Sequence, residues 1–297
     1  MATLYGKQIT TLAATILQDQ SSGGIQWPQT ELFKYLHAGQ RLIVMLKPDA
    51  NPVNKSMQLA VGTKQQIPST GMYLIDVTRN MGADGKTPGI AITPKPRQHL
   101  DEQRRTWHTL PAADEIEHFC FDERDPTRFY NFPPSSGQYV EIVFAEAPLE
   151  CARLSRGNWS AGEDYDYADS VESTAGGQWF VCILEGKSGA SEPSWNTENL
   201  GDITYDNECV WKYIGSEIVY TISLGDQYQD PLTDYILFRA WLKNAEYTEN
   251  LNRATMHLQN CLMALGKSDQ IESINDPNVS LLRRLLGQQA QGGSSEK

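Results

Sequence analysis

Basic residues are scarce in this chain, and their scarcity excludes one broad class of function. The 297 residues contain 25 Lys and Arg against 37 Asp and Glu, which gives a formal net charge of −12. No run rich in Lys and Arg occurs, so a basic face that reads nucleic acid is not expected. An acidic surface of this kind repels duplex DNA.

Paired cysteines and long apolar runs are missing as well. The five cysteines are odd in number, far apart and without a CxxC spacing, which argues against a disulfide framework or a zinc site and predicts buried, reduced thiols. No stretch approaches the ~18 apolar residues that a membrane span needs. The N-terminus shows no export signal. We therefore expect a cytosolic protein that does not contact a membrane.

Sequence motifs for catalysis are absent too. The chain has no phosphate-binding glycine loop, no HExxH pair and no GxSxG elbow, and its histidines stand alone. Asp164 and Asp166 begin like a calcium loop, but the glycine and glutamate that such a loop requires are missing. The pair Asp122-Glu123 lies among turn residues, where short acidic side chains cap the backbone. No catalytic residue, metal ligand or cofactor is predicted, and irregular calcium binding near Asp164 stays an alternative.

Helical periodicity is strongest near the two ends of the chain. Apolar residues there repeat every three or four positions. The four predicted helices span 4–18, 30–46, 230–247 and 251–265. Gly39 lies in the middle of the second apolar face, so we expect a neighbouring helix to approach closely there. Gly266 follows the last helix and is predicted to be its left-handed cap.

Strand-like patterns fill the sequence between these helices. The predicted strands are 57–61, 72–78, 90–92, 116–121, 128–132 and 139–145, with a short polar helix over 97–107. A block of different composition follows at 156–215, where eleven acids stand against three bases and four of the seven tryptophans occur. We interpret this block as an inserted all-β module.

Together these elements predict an α+β protein. A helical bundle of about four helices, two from each chain end, is expected to enclose a small antiparallel sheet. The predicted domains are a discontinuous body (1–155 and 216–266), the inserted module (156–215) and an extended C-terminal segment with a polar tail (267–297).

Several separated motifs resemble the phage adaptor proteins of tailed bacteriophages, which are head-to-tail connector subunits. The residues that carry the resemblance are Trp27-Pro28, Glu31-Leu32, Tyr35-Leu36, Gly39-Gln40-Arg41, Pro48-Asp49-Ala50-Asn51, Leu74–Gly82, Phe121–Pro126, Phe129-Tyr130, Pro133-Pro134, Asp234-Tyr235 and Ala245-Glu246-Tyr247. These motifs fall within roughly 25–150 and 220–266 and so cover nearly all of the predicted body.

This resemblance implies a structural virion protein without enzymatic activity, assembled in the host cytoplasm. It implies a subunit of an oligomeric ring, usually of twelve copies, between the portal protein and the tail proteins. Double-stranded DNA would pass through the ring without sequence-specific contact. In head-to-tail connectors the C-terminal segment docks on the portal. The corresponding residues here are Leu281, Leu282, Arg283, Arg284, Leu285 and Leu286. A helix that packs on its own bundle is the alternative for this segment.

The inserted module resembles small β modules of phage tail and fibre proteins, which are similar to chitin-binding-type carbohydrate modules. That similarity implies sugar stacking on Trp179 or Trp195. A structural role is favoured, either at the periphery of the ring or in contact with a neighbour, because a module of sixty residues needs its aromatic residues for its own core. The alternatives are a tail or receptor-recognition protein that binds host glycan and, third, a cell-wall glycosidase that uses carboxylates of the module.

Overall fold

A computed structural model describes residues 3–19, 26–122, 124–243 and 248–266. Within these ranges the chain forms five α-helices and fifteen β-strands. The chain divides into two units: the continuous unit, Ile43–Pro148, and the discontinuous unit, which combines Met1–Leu42 with Leu149–Lys297.

The helices lie mostly in the discontinuous unit. They are α1 (Gly6–Ile16), α2 (Gln29–Leu46), α3 (Arg97–Gln103), α4 (Gln229–Lys243) and α5 (Thr248–Ala264). Single 3-10 turns occur at Pro48–Ala50, Trp107–Thr109 and Asp226–Tyr228. The predicted helices near both chain ends are therefore confirmed, with shifts of a few residues at their boundaries.

Two four-stranded sheets build the continuous unit. Its strands are β1 (Pro52–Gln58), β2 (Gly62–Gln66), β3 (Gly71–Met81), β4 (Pro88–Ala91), β5 (Thr93–Pro94), β6 (His118–Phe121), β7 (Arg128–Ser135) and β8 (Tyr139–Glu146). The strand orders are β1-β8-β3-β4 and β2-β7-β6-β5. All pairs are antiparallel except β5 with β6.

The core of the continuous unit is aliphatic and phenylalanine-rich. In β8, every second residue from Val140 to Phe144 is buried, which matches the two-residue period of a strand with one buried face. These residues pack with apolar side chains of both sheets, including Leu74 of β3 and Phe129 of β7. The two sheets therefore share one core and form a sandwich.

In the discontinuous unit, α2 approaches α4 closely at Gly39. A Cβ atom at this position would lie 2.8 Å from Cδ1 of Tyr235 and 3.3 Å from Cδ2 of Leu232, both on α4. Trp27 reinforces the contact, since its indole N–H donates to the carbonyl of Ala240 at 3.1 Å. The predicted close helix approach at Gly39 is confirmed. Gly266 adopts φ 66°, as predicted for a left-handed cap.

The remaining strands also belong to the discontinuous unit. They are β9 (Leu154–Asn158), β10 (Asp164–Tyr165), β11 (Asp169–Glu172), β12 (Trp179–Leu184), β13 (Gly186–Lys187), β14 (Ile203–Asp206) and β15 (Cys209–Gly215). Five of them form a sheet in the order β14-β15-β12-β11-β9, and β10 pairs with β13. On one face of this sheet, Phe180, Cys182 and Trp211 pack with other, mainly aromatic residues in a second core.

The prediction of a helical bundle with a small sheet is wrong. The described residues contain four sheets and five helices, so the protein is mainly β. Predicted strands such as 72–78 and 139–145 do exist, but they belong to a sandwich with its own core. Apolar periodicity does not reveal β2, because this edge strand is Gly-Thr-Lys-Gln-Gln and the side chain that it buries is the polar Gln65. Local patterns indicate individual strands and do not show how many sheets they form.

All five cysteines are free and buried, as expected from their spacing. Burial raises the pKa of the Cys120 and Cys209 thiols to about 11. None of the described helices is long and apolar enough to cross a bilayer.

Candidate functional site

One face of α2 carries three polar side chains that contact the strand-rich part of the discontinuous unit. Lys34, His37 and Arg41 are spaced by three and four residues, so they lie on one side of the helix. The Lys34 ammonium pairs with Glu185 at 2.9 Å. It also lies 5.4 Å from the centre of the Tyr167 aromatic ring. These contacts join residues more than a hundred positions apart.

His37 lies at the centre of this face and is only 2% exposed. Its Nδ1 is 2.9 Å from the hydroxyl of Tyr167, and its Nε2 is 3.4 Å from Sγ of Cys151. Burial lowers the pKa of His37 to about 4, so the imidazole is neutral at neutral pH. A neutral imidazole has one donor and one acceptor, which matches its two partners.

Glu150, which lies beside this histidine, forms ion pairs with two basic side chains. Arg41 Nη1 donates to its Oε1 at 2.8 Å, and Lys212 Nζ lies 2.6 Å from its Oε2. Burial alone would raise the pKa of Glu150, but the charge of Lys212 and the other nearby groups outweighs burial and holds the pKa below its usual value. The carboxylate is therefore ionised and paired with residues from a helix and from β15.

We call His37, Arg41, Glu150, Cys151, Tyr167 and Lys212 the polar cluster. Burial raises the pKa of the Cys151 thiol to about 12, which keeps the sulfur protonated and weakly nucleophilic. His37 is buried with both ring nitrogens in contact with protein groups. The cluster therefore holds α2 against the strands of its unit in one register, which is a structural task.

The sequence gives little sign of this cluster. His37 is a single histidine on a helix and fits a surface or helix-face position equally well. Its spacing with Lys34 and Arg41 is typical of a solvated face. The partners Glu150 and Tyr167 carry no local motif that points back to the helix.

A buried carboxylate organises the aromatic core of the five-stranded sheet. Asp206 is 3% exposed. Its Oδ2 accepts the indole N–H of Trp159 at 2.8 Å and of Trp211 at 3.1 Å. Its Oδ1 accepts the backbone N–H of Gly189 at 2.8 Å. One side chain thus fixes two tryptophans and a loop.

The two tryptophans predicted as sugar contacts are both half-buried. The Trp195 indole stacks on Phe180 with ring centres 4.0 Å apart, and its N–H donates to Glu192 at 2.7 Å. Trp179 begins β12 opposite Gly215 of β15. No aromatic contact between the two indoles occurs among the residues that the structure describes. Glycan binding at these positions stays a prediction.

Two further sets of residues singled out from the sequence lie wholly or partly outside the described residues. Leu281, Leu282, Arg283, Arg284, Leu285 and Leu286 lie outside the described residues. Glu123 does so too, while Asp122 caps the backbone N–H of Arg124 at 3.0 Å. The proposed portal contact therefore stays a prediction.

The aspartates in the segment that resembles the start of a calcium loop contact different groups of the protein. Asp166 pairs with Arg153 at 3.0 Å, and the buried Asp169 contacts the same guanidinium. Asp164 lies opposite Lys187 in the backbone register of the two-stranded sheet of β10 and β13. Within the described part of the chain, no group of three or more His, Cys, Asp or Glu residues is arranged to hold a metal ion.

An open groove of about 860 Å³ lies between α1 and the start of β9. It is lined by Tyr5, Lys7, Gln8, Thr11, Ala152, Arg153, Leu154, Ser155 and Tyr220. All of these residues belong to the discontinuous unit. The groove is open to solvent and is not an enclosed pocket.

Comparison with known proteins assigns the family. The SU10 adaptor protein family matches residues 5–171, which is more than half of the chain. The chain belongs to the SU10 adaptor protein family. A search of curated proteins finds no significant match.

Membership of the SU10 adaptor family confirms the predicted resemblance to phage adaptors. The protein is thus a structural component of a phage virion, and its family implies contacts with other virion proteins such as portal and tail. The range matched by the SU10 adaptor family includes every member of the polar cluster except Lys212. Glycan binding by the 156–215 module is not addressed by this match.

Proposed function

We propose that this protein forms an oligomeric ring that joins the portal of a tailed phage to its tail. The observation that carries the proposal is the SU10 adaptor match over 5–171, which includes α1, α2 and the whole continuous unit. A connector has to transmit load between two partners without changing shape. Ion pairs to a buried carboxylate, such as Arg41 with Glu150, favour this rigidity in the discontinuous unit.

The charge of the chain supports a second part of the proposal. Each copy carries a formal charge of −12, so a ring of copies repels the phosphate backbone of duplex DNA. We propose that the genome passes through the ring without sequence-specific contact. Twelve copies are proposed from the resemblance to other phage adaptors.

The C-terminal segment supplies the proposed portal contact. In an otherwise polar stretch, Leu281-Leu282 and Leu285-Leu286 flank the pair Arg283-Arg284. Such a pattern is typical of short segments that bind a groove on a partner protein through an apolar side. No catalytic step is part of the proposal.

Electron microscopy of the purified chain with the portal protein of the same phage tests the ring. We expect oligomeric rings that cap one face of the portal. A chain that remains monomeric and does not bind the portal contradicts the proposal.

Two truncations separate the docking segment from its tail. Deletion of 267–297 is expected to abolish portal binding, measured by co-sedimentation. Deletion of 287–297 alone is the matched control, because it removes the polar tail and keeps Leu281 to Leu286. Equal binding by both truncations would place the portal contact elsewhere on the chain.

A further inference from the structure

Helix α5 presents an exposed face without charged residues. Met256 and Met263 lie about two turns apart on this helix and are 49% and 59% exposed. The half-buried Asn260 lies between them on the same side. From Ala254 to Gly266 the chain contains no Asp, Glu, Lys or Arg. A helix face that stays in water usually carries such residues, so the composition here is typical of a contact surface. We call Met256, Asn260 and Met263 the α5 methionine face.

The other side of α5 already has its partners. Ala254, Leu258 and Cys261 are buried there, and His257 Nδ1 lies 2.8 Å from the carboxylate of Asp234 on α4. The packing of α5 on α4 therefore does not use the α5 methionine face. Methionine side chains are unbranched and flexible, so they adapt to different partners. This face suits a contact that forms and dissociates.

The chain itself supplies an apolar segment within reach of this face. After the cap at Gly266, the fourteen residues 267–280 lead to Leu281. A linker of this length has a root-mean-square span of roughly 20 Å, whereas Met263 and Met256 lie only about 5 and 15 Å along the helix from Gly266. Because the linker matches this span, the effective concentration of the segment at the α5 methionine face is on the order of millimolar. This tether favours a segment of the same chain over a second copy.

The order of leucines and arginines in this segment fits such a contact. On a helix, with about 100° per residue, its four leucines fall within an arc of about 140° and its two arginines fall outside that arc. The leucines are Leu281, Leu282, Leu285 and Leu286. Their side can cover the α5 methionine face without removing a charge from water, because that face carries none, while both arginines stay in solvent.

We propose that the leucine side of 281–286 packs on the α5 methionine face of the same chain, and that the portal protein displaces it. This inference rests on the proposed function, in which the same segment binds the portal. The portal then competes with an intramolecular contact, so only the fraction of chains with a free segment can bind it. Before the chain meets the portal, its apolar segment is covered, which limits contacts between loose copies.

Cross-linking within one full-length chain tests the intramolecular contact. Asn260→Cys and Ser280→Cys are combined, which keeps both methionines and all four leucines, and the dilute protein is treated with a short bis-maleimide. The five native cysteines are buried, so the introduced thiols react first. We expect a link between the two introduced cysteines in a protein of monomeric mass, identified by mass spectrometry.

The matched control keeps this cysteine pair and changes the four leucines of 281–286 to serine. The tether is then the same and only the apolar side is lost, so we expect the link to form at least about tenfold more slowly. An equal rate would show that the reaction reports collisions of a tethered segment, and would overturn the contact. Equally fast links between the two single-cysteine variants after mixing would show that a second copy occupies the face, and would overturn the intramolecular arrangement.

Portal binding provides the second measurement. Met256→Gln combined with Met263→Gln removes the apolar surface of α5 and keeps residues that favour a helix, so the segment is free more often. We expect the dissociation constant for the portal protein to fall at least about threefold. Met45→Gln is the control, because Met45 is also exposed but belongs to the continuous unit. Unchanged portal binding by the double variant would overturn the displacement, and weaker binding would show that α5 itself contacts the portal.

The two measurements separate this inference from the proposed function. Absence of portal binding by the unmodified chain would overturn the proposed function, and the displacement with it, whatever the cross-linking shows. Portal binding by a chain whose cysteine pair forms no link would overturn this inference and leave the proposed function intact.

Discussion

The cores of the two units are built from different chemistry. In the continuous unit, Leu74, Ile142 and Phe144 belong to a core of aliphatic residues and phenylalanine. In the discontinuous unit, Asp206 and His37 are buried among aromatic and polar partners. The first core is held by contacts that have no preferred direction, and the second is held by hydrogen bonds and ion pairs whose geometry is fixed.

This difference shows that one chain can use an apolar core mainly for stability and a buried polar network mainly to fix the positions of its helices and strands. An apolar sandwich tolerates small changes in side-chain shape at modest cost. A buried polar network tolerates almost none, because each lost partner leaves a donor or a charge without compensation. The continuous unit also buries hydrogen-bonded amides, such as Asn80 beside the backbone of Ile116. Among the described residues, however, the buried carboxylates all belong to the discontinuous unit.

The largest loss of stability is expected when the hydrogen bonds of the buried Asp206 are removed. Asp206→Ala removes the acceptor of two indole N–H groups and one backbone N–H, and it is expected to lower the free energy of unfolding by about 3–5 kcal/mol. Urea unfolding followed by tryptophan fluorescence measures the loss.

The fluorescence signal reports mainly on the discontinuous unit, which contains six of the seven tryptophans, the exception being Trp107. Asp206→Asn is the control and should lose less, since its amide oxygen still accepts. A loss below about 1 kcal/mol in Asp206→Ala would contradict the assigned role.

The free energy of unfolding is expected to depend on pH through His37, which distinguishes the polar unit from the apolar sandwich. The folded imidazole has a pKa lowered to about 4 by burial, whereas the unfolded one protonates near 6.5. The unfolded state therefore takes up a proton first, and stability falls as the pH drops from 6.5 towards 4. We expect His37 to account for a loss of about 2 kcal/mol between pH 7.5 and pH 5.

His37→Gln should remove this part of the pH dependence, as measured by urea unfolding at both pH values. His99→Gln is the matched control, because His99 is exposed and belongs to the continuous unit. If His37→Gln and His99→Gln keep the same pH dependence, His37 does not titrate as its burial requires.

The smallest expected effect concerns the apolar core. Ile142→Val removes one buried methylene from β8 and should cost about 1 kcal/mol. The cost should be the same at pH 7.5 and pH 5, because no titratable group contributes to it. Thermal unfolding followed by far-ultraviolet circular dichroism measures the change. A stability cost that differs between the two pH values would contradict the assignment of a purely apolar core to this unit.

Helices were the predictable part of this fold because their signals are local. Apolar residues of α2 repeat along one side, and Gly39 in that pattern already indicated a close neighbour, which is Tyr235 of α4. The left-handed cap at Gly266 follows from its position after the last apolar residue. The family could be inferred as well, since its motifs consist of short strings of residues.

Strand pairing was not predictable in the same way. β1 pairs with β8 across about ninety residues, and nothing in either strand identifies the other as its partner. The polar cluster was missed for a related reason. Lys34, His37 and Arg41 are typical of a solvated helix face until the partners of His37 and Arg41, Tyr167 and Glu150, are known. Polar residues that will be buried carry no periodic signal, because burial depends on a segment far away in the sequence.

The continuous unit contains both members of every strand pair that it forms in the described residues. Its first and last strands lie side by side, with Pro52 opposite Ala145. During synthesis on the ribosome, this unit can close as soon as β8 has emerged, while α2 still waits for α4 and for Lys212. The chain therefore completes its sandwich early and assembles the unit that carries both of its ends last.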